Sequence, residues 1–442
     1  MTVLLKRAKG STLDIVIKYS AHPGTMALLS PLTRQISSLS LSIFFWKDVL
    51  EFSEVTSAPL PLLRTLEIRI TYPDGHHDEP NMPTAPLLPL FNGAVNLEEF
   101  IFQPKWSASF NHFAFPTLTT LKLLILPMNR WIAQELFDFL KASPTLLTVK
   151  IRVEEGGIPE NIPREMVVVL PNVETLSLNV DGNGLQAYEL AVHISCPRAK
   201  YTSLTQDIGE SKMSSNLKSF PDPVSWEAIS SQYTTSPVEE VTFETYDDQL
   251  PTIFAYSLTF KSSDATAVRL GFRVTESGTE EEDLEWSHLH EAMNCETFSR
   301  ACRAIRDHPQ LSHLKRLHLK DRFEFFGIFG DYTEEMANML WELFRWVGPL
   351  DELVIHAWDP EMFVPGIENV DRVLPAVREL RISDIRMVDE ERCADGIVEL
   401  ARSQHELEKP FERVTVSGWG VPAVMAGQLR RWVNEVDCYE LP

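Results

Sequence analysis

A chain of 442 residues, 44% of them hydrophobic and 10% aromatic, can bury a large core, which excludes a wholly disordered protein. The formal net charge of −23 argues against a general nucleic-acid-binding protein, because phosphate contacts need a clustered basic surface. Five cysteines in so long a chain do not suggest a disulfide framework, and there is no run of about 18 apolar residues to span a membrane. These features favour a cytoplasmic or nuclear protein.

Short apolar pairs of the form L-x-L recur through the first half of the chain. The first predicted strand lies near the amino terminus, where Leu13, Ile15 and Ile17 occupy alternate positions. Clear copies of a turn followed by a strand are LPLLRTLEIRI at 60–70, FPTLTTLKLLI at 115–125, SPTLLTVKIRV at 143–153 and LPNVETLSLNV at 170–180. Their two-residue alternation predicts short strands with one buried face. Amphipathic return helices are predicted at 129–142 and 186–194.

The middle of the chain, residues 207–310, departs from this pattern. Two L-x-F pairs begin at Leu258 and Leu270, only 12 residues apart, which leaves no room for a return helix. We therefore predict an antiparallel hairpin around 262–265. An acidic loop and a helical segment at 284–308 follow.

The turn-and-strand pattern returns in residues 311–442. Its copies are LSHLKRLHLKD at 311–321, GPLDELVIHAW at 348–358 and LPAVRELRISD at 374–384. Helices are predicted at 333–347 and 388–402. A terminal helix at 422–436 would close the array, since an open-ended stack of strands needs a polar cap.

The spacing of these strands indicates the fold class. The first apolar residues lie 28 residues apart from Leu121 to Val149, and 27 apart from Val149 to Leu176 and from Leu353 to Leu380. Periods of 20–29 residues are typical of leucine-rich repeats. The Asn or Cys that usually follows the second leucine is missing, and other steps are irregular.

We therefore predict an α/β fold, a leucine-rich-repeat solenoid with an inserted β-hairpin region. A curved, mostly parallel sheet would form the concave side, and helices and loops the convex side. In this prediction, residues 1–206 are N-terminal repeats and residues 207–310 contain the inserted hairpin, acidic loop and helical segment. Residues 311–442 are C-terminal repeats with a capping helix.

Several longer motifs accompany the repeats. They are AKGSTLDIVIKYS near the amino terminus, then LLSPLTRQISSLSL, the LPLLRTLEI-type repeats, and FPDPVSWEAISSQYTTSPVEEVTF followed by SLTFKSSD and AVRLGF. In this combination the chain resembles the F-box/leucine-rich-repeat proteins of mushroom-forming fungi. The resemblance implies that an F-box docks the repeats onto an SCF-type ubiquitin ligase. No segment before Leu13 fits an F-box, so an SCF-type adaptor is expected as a partner only if an F-box lies upstream.

Strand alternation identifies the residues of the predicted concave face, because side chains between the apolar pairs point away from the core. The basic and histidine side chains expected there are Arg69, Lys122, Lys150, Arg152, Arg316, His318, Lys320, His356 and Arg381. We expect this face to bind an acidic or phosphorylated segment of a protein partner. Lys122, Lys150 and Arg152 would form the first cluster, and Arg316, Lys320 and Arg381 the second. The alternative is that these are ordinary polar residues of a solvated sheet.

Two motifs that could suggest other chemistry were set aside. Residues 182–187, GNGLQA, match the G-x-G-x-x-A pattern of dinucleotide-binding proteins, but no βαβ unit surrounds them and a turn between repeats explains them. His76, His77, Asp78 and Glu79 are adjacent in a loop, where neighbouring side chains rarely converge on one metal ion. No catalytic, cofactor-binding or metal-binding residue is predicted.

The sequence therefore predicts a non-catalytic, protein-binding repeat scaffold with no nucleic-acid or membrane partner. Its most favoured role is the substrate-recognition region of an F-box-type ubiquitin ligase subunit. A leucine-rich-repeat scaffold or inhibitor that acts without ubiquitin is the alternative, and a cryptic enzyme is a distant third.

Overall fold

The computed structural model describes part of the chain. The described residues are 2–7, 12–18, 30–43, 59–70, 91, 93–103, 110, 113–125, 133–153, 162–163, 165–181, 186–209, 233, 236–245, 252–275, 302–303, 305–306, 311–321, 333–356, 374–383, 390–417 and 423–439. The protein is of the mixed α/β type, with mostly parallel sheet and few helices. Within these ranges, no helix has the length and apolar character needed to cross a bilayer.

The chain divides into two units, unit 1 (Met1–Gln206) and unit 2 (Asp207–Pro442). The three-part division proposed from the sequence stays a prediction.

Unit 1 contains a sheet in which the strands follow one another in chain order. Its strands are β1 (Thr2–Arg7), β2 (Leu13–Lys18), β3 (Ile36–Ile43), β4 (Thr65–Ile70), β5 (Glu99–Gln103), β6 (Thr120–Ile125), β7 (Thr148–Val153), β8 (Val168–Val169), β9 (Thr175–Asp181), β10 (Ile194–Ser195) and β11 (Tyr201–Gly209), which continues into unit 2. Strands β2 to β7 and then β9 pair in parallel. Strand β1 is antiparallel to β2, and β8 pairs with β10 in a separate two-stranded sheet. The helices are α1 (Ala133–Lys141) and α2 (Gln186–Val192), and a 3₁₀ helix covers Ser30–Gln35.

Unit 2 begins with an antiparallel section and continues in parallel. Its strands are β12 (Val238–Thr245), β13 (Thr252–Ser262), β14 (Ala267–Thr275), β15 (Arg316–Asp321), β16 (Leu350–His356), β17 (Val377–Ser383), β18 (Arg413–Ser417) and β19 (Glu435–Tyr439). Strands β12, β13 and β14 pair antiparallel, whereas β12 pairs in parallel with β15 and the parallel order then runs to β19. The helices are α3 (Thr333–Trp346), α4 (Glu390–Glu406) and α5 (Ala423–Leu429), and a 3₁₀ helix covers Leu311–His313.

Columns of buried apolar residues explain why these strands stack. In unit 1 the column Leu39, Leu66, Phe100, Leu121, Val149 and Leu176 runs in register through β3 to β9, and every member is fully buried. Unit 2 has the equivalent column Val241, Leu317, Leu353, Leu380 and Val414. Burial of one such side chain contributes about 1.5–3 kcal/mol, so the recurring apolar pairs largely decide which face of each strand is inward.

The turns before the strands of unit 1 are joined by side-chain hydrogen bonds. Asn96 Nδ2 donates to Pro61 O (2.8 Å), Thr117 Oγ1 to Val95 O (2.9 Å), Thr145 Oγ1 to Pro116 O (2.9 Å) and Asn172 Nδ2 to Pro144 O (2.9 Å). Each side chain therefore satisfies a carbonyl of the preceding turn. We call this series of side-chain hydrogen bonds the turn ladder of unit 1. It was not predicted from the sequence, although three of its donors, Thr117, Thr145 and Asn172, directly follow a proline in FPT, SPT and LPN.

The hairpin predicted around 262–265 is present. Strands β13 and β14 pair antiparallel, and Ser262 N donates to Thr266 O at 2.9 Å across the turn. Ala265 has a positive φ of 66° in this turn. The acidic loop and most of the helix predicted at 284–308 lie outside the described residues.

The terminal helix predicted at 422–436 is wrong in its second half. Helix α5 ends at Leu429, and Trp432 N donates to Leu429 O at 2.9 Å in a turn. Residues Glu435–Tyr439 form β19, in which Val436 stands in register with Val414 of β18. The strand forms because its backbone groups pair with those of β18. The sequence of residues 422–436 alone does not show that pairing.

Candidate functional site

The side chains that alternate with the buried columns form what we call the polar face of each unit. Parallel register aligns these side chains across neighbouring strands. In unit 1, Lys122 of β6 stands opposite Lys150 of β7, and Leu124 stands opposite Arg152. The structure therefore brings together the three residues of the first predicted cluster. Arg69 lies apart from them on β4.

Two of the basic residues on the polar face of unit 1 have acidic partners. Lys122 Nζ lies 2.8 Å from Glu99 Oε1 of β5. Arg69 Nη2 lies 2.5 Å from Glu67 Oε1 on its own strand. These pairs neutralise both cations locally.

Lys150 and Arg152 differ from their neighbours. Both side chains are exposed, and neither forms an ion pair or side-chain hydrogen bond in the part of the chain that the structure describes. Their counterparts on β9 are the uncharged Ser177 and Asn179, which stand in register with Lys150 and Arg152 respectively. Strand β7 therefore presents two positive charges that form no ion pair with any described residue.

The polar face of unit 2 carries the remaining predicted residues. Arg316, His318 and Lys320 lie on β15, His356 on β16 and Arg381 on β17. One row across the sheet contains Glu240, Arg316, Glu352, Glu379 and Arg413 in register. Acidic and basic side chains therefore share this row.

The arginines of the second predicted cluster are bound to these carboxylates. Arg316 Nε lies 3.3 Å from Glu240 Oε2. Arg381 Nε lies 2.9 Å from Glu352 Oε1 and 3.0 Å from Glu379 Oε1. The hydrogen bond to Glu379 raises the pKa of Arg381. The predicted residues thus lie close to one another, but their charges are largely taken up within unit 2.

Lys320, the third member of the second cluster, and His356 on the neighbouring strand are half-buried. Lys320 stands in register between Glu244 and His356. His356 Nδ1 lies 3.0 Å from Ser383 Oγ. This row is more polar than the corresponding part of unit 1, where Leu124 lies beside Arg152.

His318 occupies the centre of the unit 2 network. Its Nδ1 lies 3.9 Å from Glu240 Oε1 and its Nε2 3.5 Å from Glu352 Oε2. Burial lowers the pKa of His318 and outweighs the two carboxylates, which act to raise it. Burial also acts to raise the pKa of Glu240, but the hydrogen bond from Lys261 and the charges of His318, Lys261 and Arg316 outweigh this and lower it.

The glycine-containing motif at 182–187 falls partly on residues 182–185, outside the described ranges. The first helical turn that follows is engaged within the protein, since Ala187 N donates to Gln206 Oε1 at 3.1 Å and Gln206 Nε2 donates to Val180 O at 3.1 Å. A phosphate group bound to Ala187 N would have to displace this buried glutamine. His76 to Glu79 also lie outside the described residues. Among those that are described, no group of three or more His, Cys, Asp or Glu could hold a metal ion.

The neutralising carboxylates of unit 2 are the part of the site that sequence reasoning missed. Glu240, Glu352 and Glu379 each stand directly before a buried apolar residue of the column, so their place on the polar face was visible. Their pairing depends on which strands are neighbours. That information is not local to any one strand.

Comparisons with known proteins leave the function open. No family model matches the chain, and no curated protein matches it. The case for a function therefore depends on the charges and hydrogen bonds of the two polar faces.

Proposed function

We propose that this protein is a leucine-rich-repeat solenoid that binds another protein through the polar face of unit 1. Parallel strands in chain order, in-register apolar columns and a recurring turn before each strand support the repeat architecture. The binding function is supported by Lys150 and Arg152, two exposed cations that pair with no residue in the described ranges. The partner we propose is an acidic or phosphorylated protein segment.

Charge complementarity is the physical basis of this proposal. Exposed cations without acidic partners create a positive potential close to the surface, although salt screens it at longer range, whereas cations within an ion-pair network contribute little potential to an approaching ligand. The chain carries a net charge of −23, so other parts of its surface would repel an acidic partner. A local positive site on β7 would therefore orient such a partner as well as bind it.

The resemblance to fungal F-box/leucine-rich-repeat proteins leads us to propose that the bound protein is a substrate for ubiquitin ligation. In that case an F-box-like segment joined to this chain would recruit the adaptor. A scaffold or inhibitor acting without ubiquitin remains the alternative. Affinity purification of the natural full-length protein separates the two, because adaptor and cullin subunits should co-purify only with a ligase subunit.

Charge reversal tests the binding face directly. The double variant Lys150→Glu, Arg152→Glu should lose at least one protein that chemical cross-linking captures with the wild type. For that purified partner we expect roughly 100-fold weaker binding, which corresponds to the loss of two charge-assisted contacts. The fold should be retained, since both side chains are exposed.

A matched control is available on the turn before β11. Arg198 and Lys200 are also exposed and two residues apart, so Arg198→Glu with Lys200→Glu changes the net charge equally. Lys200 pairs with the exposed Glu174 at the turn before β9. Two outcomes would reject the polar face of unit 1 as the binding surface. Either both double variants lose the partner to the same extent, or both still bind it.

A further inference from the structure

We infer that the polar face of unit 1 recognises a phosphorylated side chain in preference to a carboxylate, and that Lys150 and Arg152 hold the phosphoryl group between them. The inference rests on the proposed protein-binding function and specifies the chemistry of the partner. It commits to a phosphoserine- or phosphothreonine-containing segment of a protein.

The number of free charges favours a phosphoryl group. Lys122 is occupied by Glu99 at 2.8 Å, so two cations of the cluster, Lys150 and Arg152, remain for a ligand. A phosphomonoester carries a charge of about −1.5 to −2 at pH 7, whereas a carboxylate carries about −1. A phosphoryl group would neutralise both cations, and a carboxylate would leave one uncompensated.

The placement of the two cations allows both to reach one group. They are two residues apart on the same face of β7, which separates their Cα atoms by about 7 Å. Both side chains are long enough to converge over that distance. Arginine can donate two parallel hydrogen bonds to phosphoryl oxygens, and lysine supplies a compact charge.

Uncharged hydrogen-bonding groups complete this part of the face. Ser177 and Asn179 of β9 stand beside Lys150 and Arg152, about 4.8 Å away across the sheet. In the described part of the chain neither side chain makes a hydrogen bond, and Asn179 Oδ1 is buried without a partner. The Ser177 hydroxyl and the Asn179 Nδ2 group are donors and can serve the third phosphoryl oxygen, which a carboxylate lacks; Asn179 Oδ1 is an acceptor and takes no part in that contact.

Apolar side chains on the other flank predict a sequence preference near the phosphorylated residue. Leu124 stands in register with Arg152, and Ile101 with Lys122. Both belong to the polar face but carry no polar group. They would favour a partner segment with an aliphatic residue close to the phosphorylated one.

Peptide arrays test the preference with the full chain. Three degenerate peptide sets are compared that differ only in a central phosphoserine, glutamate or serine. We expect about tenfold tighter binding of the phosphoserine set than of the glutamate set at pH 7.5, as one additional charge-assisted contact would give. At pH 5.0, below the second phosphate pKa of about 6, this ratio should fall to about threefold or less.

Two double variants locate the binding site. Lys150→Met with Arg152→Met should abolish the preference for phosphoserine, whereas Arg198→Met with Lys200→Met should leave it unchanged. Preference that survives the first pair of substitutions would overturn the assignment to β7.

The outcomes also distinguish this inference from the proposed function. Equal binding of the phosphoserine and glutamate sets, both lost in Lys150→Met, Arg152→Met, would overturn the phosphoryl preference and leave protein binding by this face intact. If none of the three sets binds and the cross-linking experiment also finds no partner that depends on Lys150 and Arg152, both proposals fail.

Discussion

The polar faces of units 1 and 2 both carry basic side chains next to a buried apolar column, yet they differ in how the cations are paired. On β7 of unit 1, Lys150 and Arg152 have neutral neighbours on β9. In unit 2, Arg316 and Arg381 lie beside carboxylates on adjacent strands. A basic residue on a sheet is thus available to a ligand only when no carboxylate on its own or a neighbouring strand pairs with it.

The difference also affects stability. A network of several charges can hold neighbouring strands together, whereas isolated exposed cations contribute almost nothing to folding. We therefore expect substitutions on the polar face of unit 2 to change stability, and those at Lys150 and Arg152 to change binding.

The largest expected change in stability comes from truncating a buried apolar side chain in either unit. It tests whether the apolar cores of units 1 and 2 stabilise the protein to the same extent, although their polar faces differ. Phe100 packs against Phe113, Phe115 and Phe102 with ring centroids 5.0, 5.1 and 5.5 Å away. Phe100→Ala should lower the free energy of unfolding by about 3–5 kcal/mol, because it leaves a cavity in this cluster. Leu353→Ala in unit 2 should lower it by about 2–5 kcal/mol.

Urea denaturation followed by circular dichroism measures both core variants. Ser177→Ala on the polar face is the control and should change stability by less than about 0.5 kcal/mol. A loss below about 1 kcal/mol for either core variant would show that its apolar column does not carry the fold.

The next effect concerns the ion-pair network of unit 2. Glu240→Gln leaves Lys261 and Arg316 without their shared carboxylate, and we expect a loss of about 1–2 kcal/mol. The loss is limited because these cations are about half exposed, at 51% and 45%, and can be solvated.

Glu99→Gln in unit 1 is the matched change, since it removes the partner of Lys122. We expect Glu99→Gln to lower the free energy of unfolding by less than about 1 kcal/mol, because Lys122 and Glu99 form a simple ion pair near the surface. Urea denaturation of the two variants side by side gives the comparison. Equal losses would remove the distinction between a network in unit 2 and simple pairs in unit 1.

A smaller effect is expected in the pH dependence of unit 2. Burial lowers the pKa of His318 in the folded protein, so the unfolded chain binds its proton more readily. The stability contribution of neutral His318 is therefore complete above the unfolded pKa of about 6.5 and is lost as the pH falls towards the folded pKa. The lowered pKa of Glu240 acts in the same direction at more acidic pH.

Replacement of the imidazole isolates this contribution. His318→Gln should show a shallower decline in urea midpoint between pH 7.5 and pH 5.5 than the wild type. The midpoint itself can differ between the two proteins, and the slope is the quantity compared. Parallel slopes would contradict the role assigned to His318.

The smallest effect concerns the turns. Asn172→Ala removes the 2.9 Å hydrogen bond to Pro144 O in unit 1 and should lower stability by about 0.5–1 kcal/mol. The equivalent positions Pro349 and Ala376 of unit 2 have no side-chain donor. Ala376→Gly, the control there, should change stability only through the backbone. A neutral result for Asn172→Ala in urea denaturation would show that the turn ladder of unit 1 contributes nothing to its turns.

Much of the fold could be predicted from single strands. Alternation at two-residue spacing identified the buried apolar pairs and the outward residues, because the side-chain period of a strand is a local property. The hairpin followed from the short distance between Leu258 and Leu270. The terminal strand Glu435–Tyr439 was missed, because a brief apolar alternation after a helix is decided by the neighbouring strand with which it pairs.

The sequence alone determined which side chains lie on the polar faces, including every residue of the two predicted clusters. Only the tertiary structure decided which of those charges remain free. The ion pairs of Lys122 and Arg316 join side chains of neighbouring strands, and strands that are neighbours in the sheet can be far apart in the chain, as β12 and β15 are. Residue type and spacing therefore placed Lys150 and Arg381 in equivalent positions, each directly after a buried apolar residue of its column. Only the tertiary structure left Lys150 available for binding and made Arg381 part of an internal network.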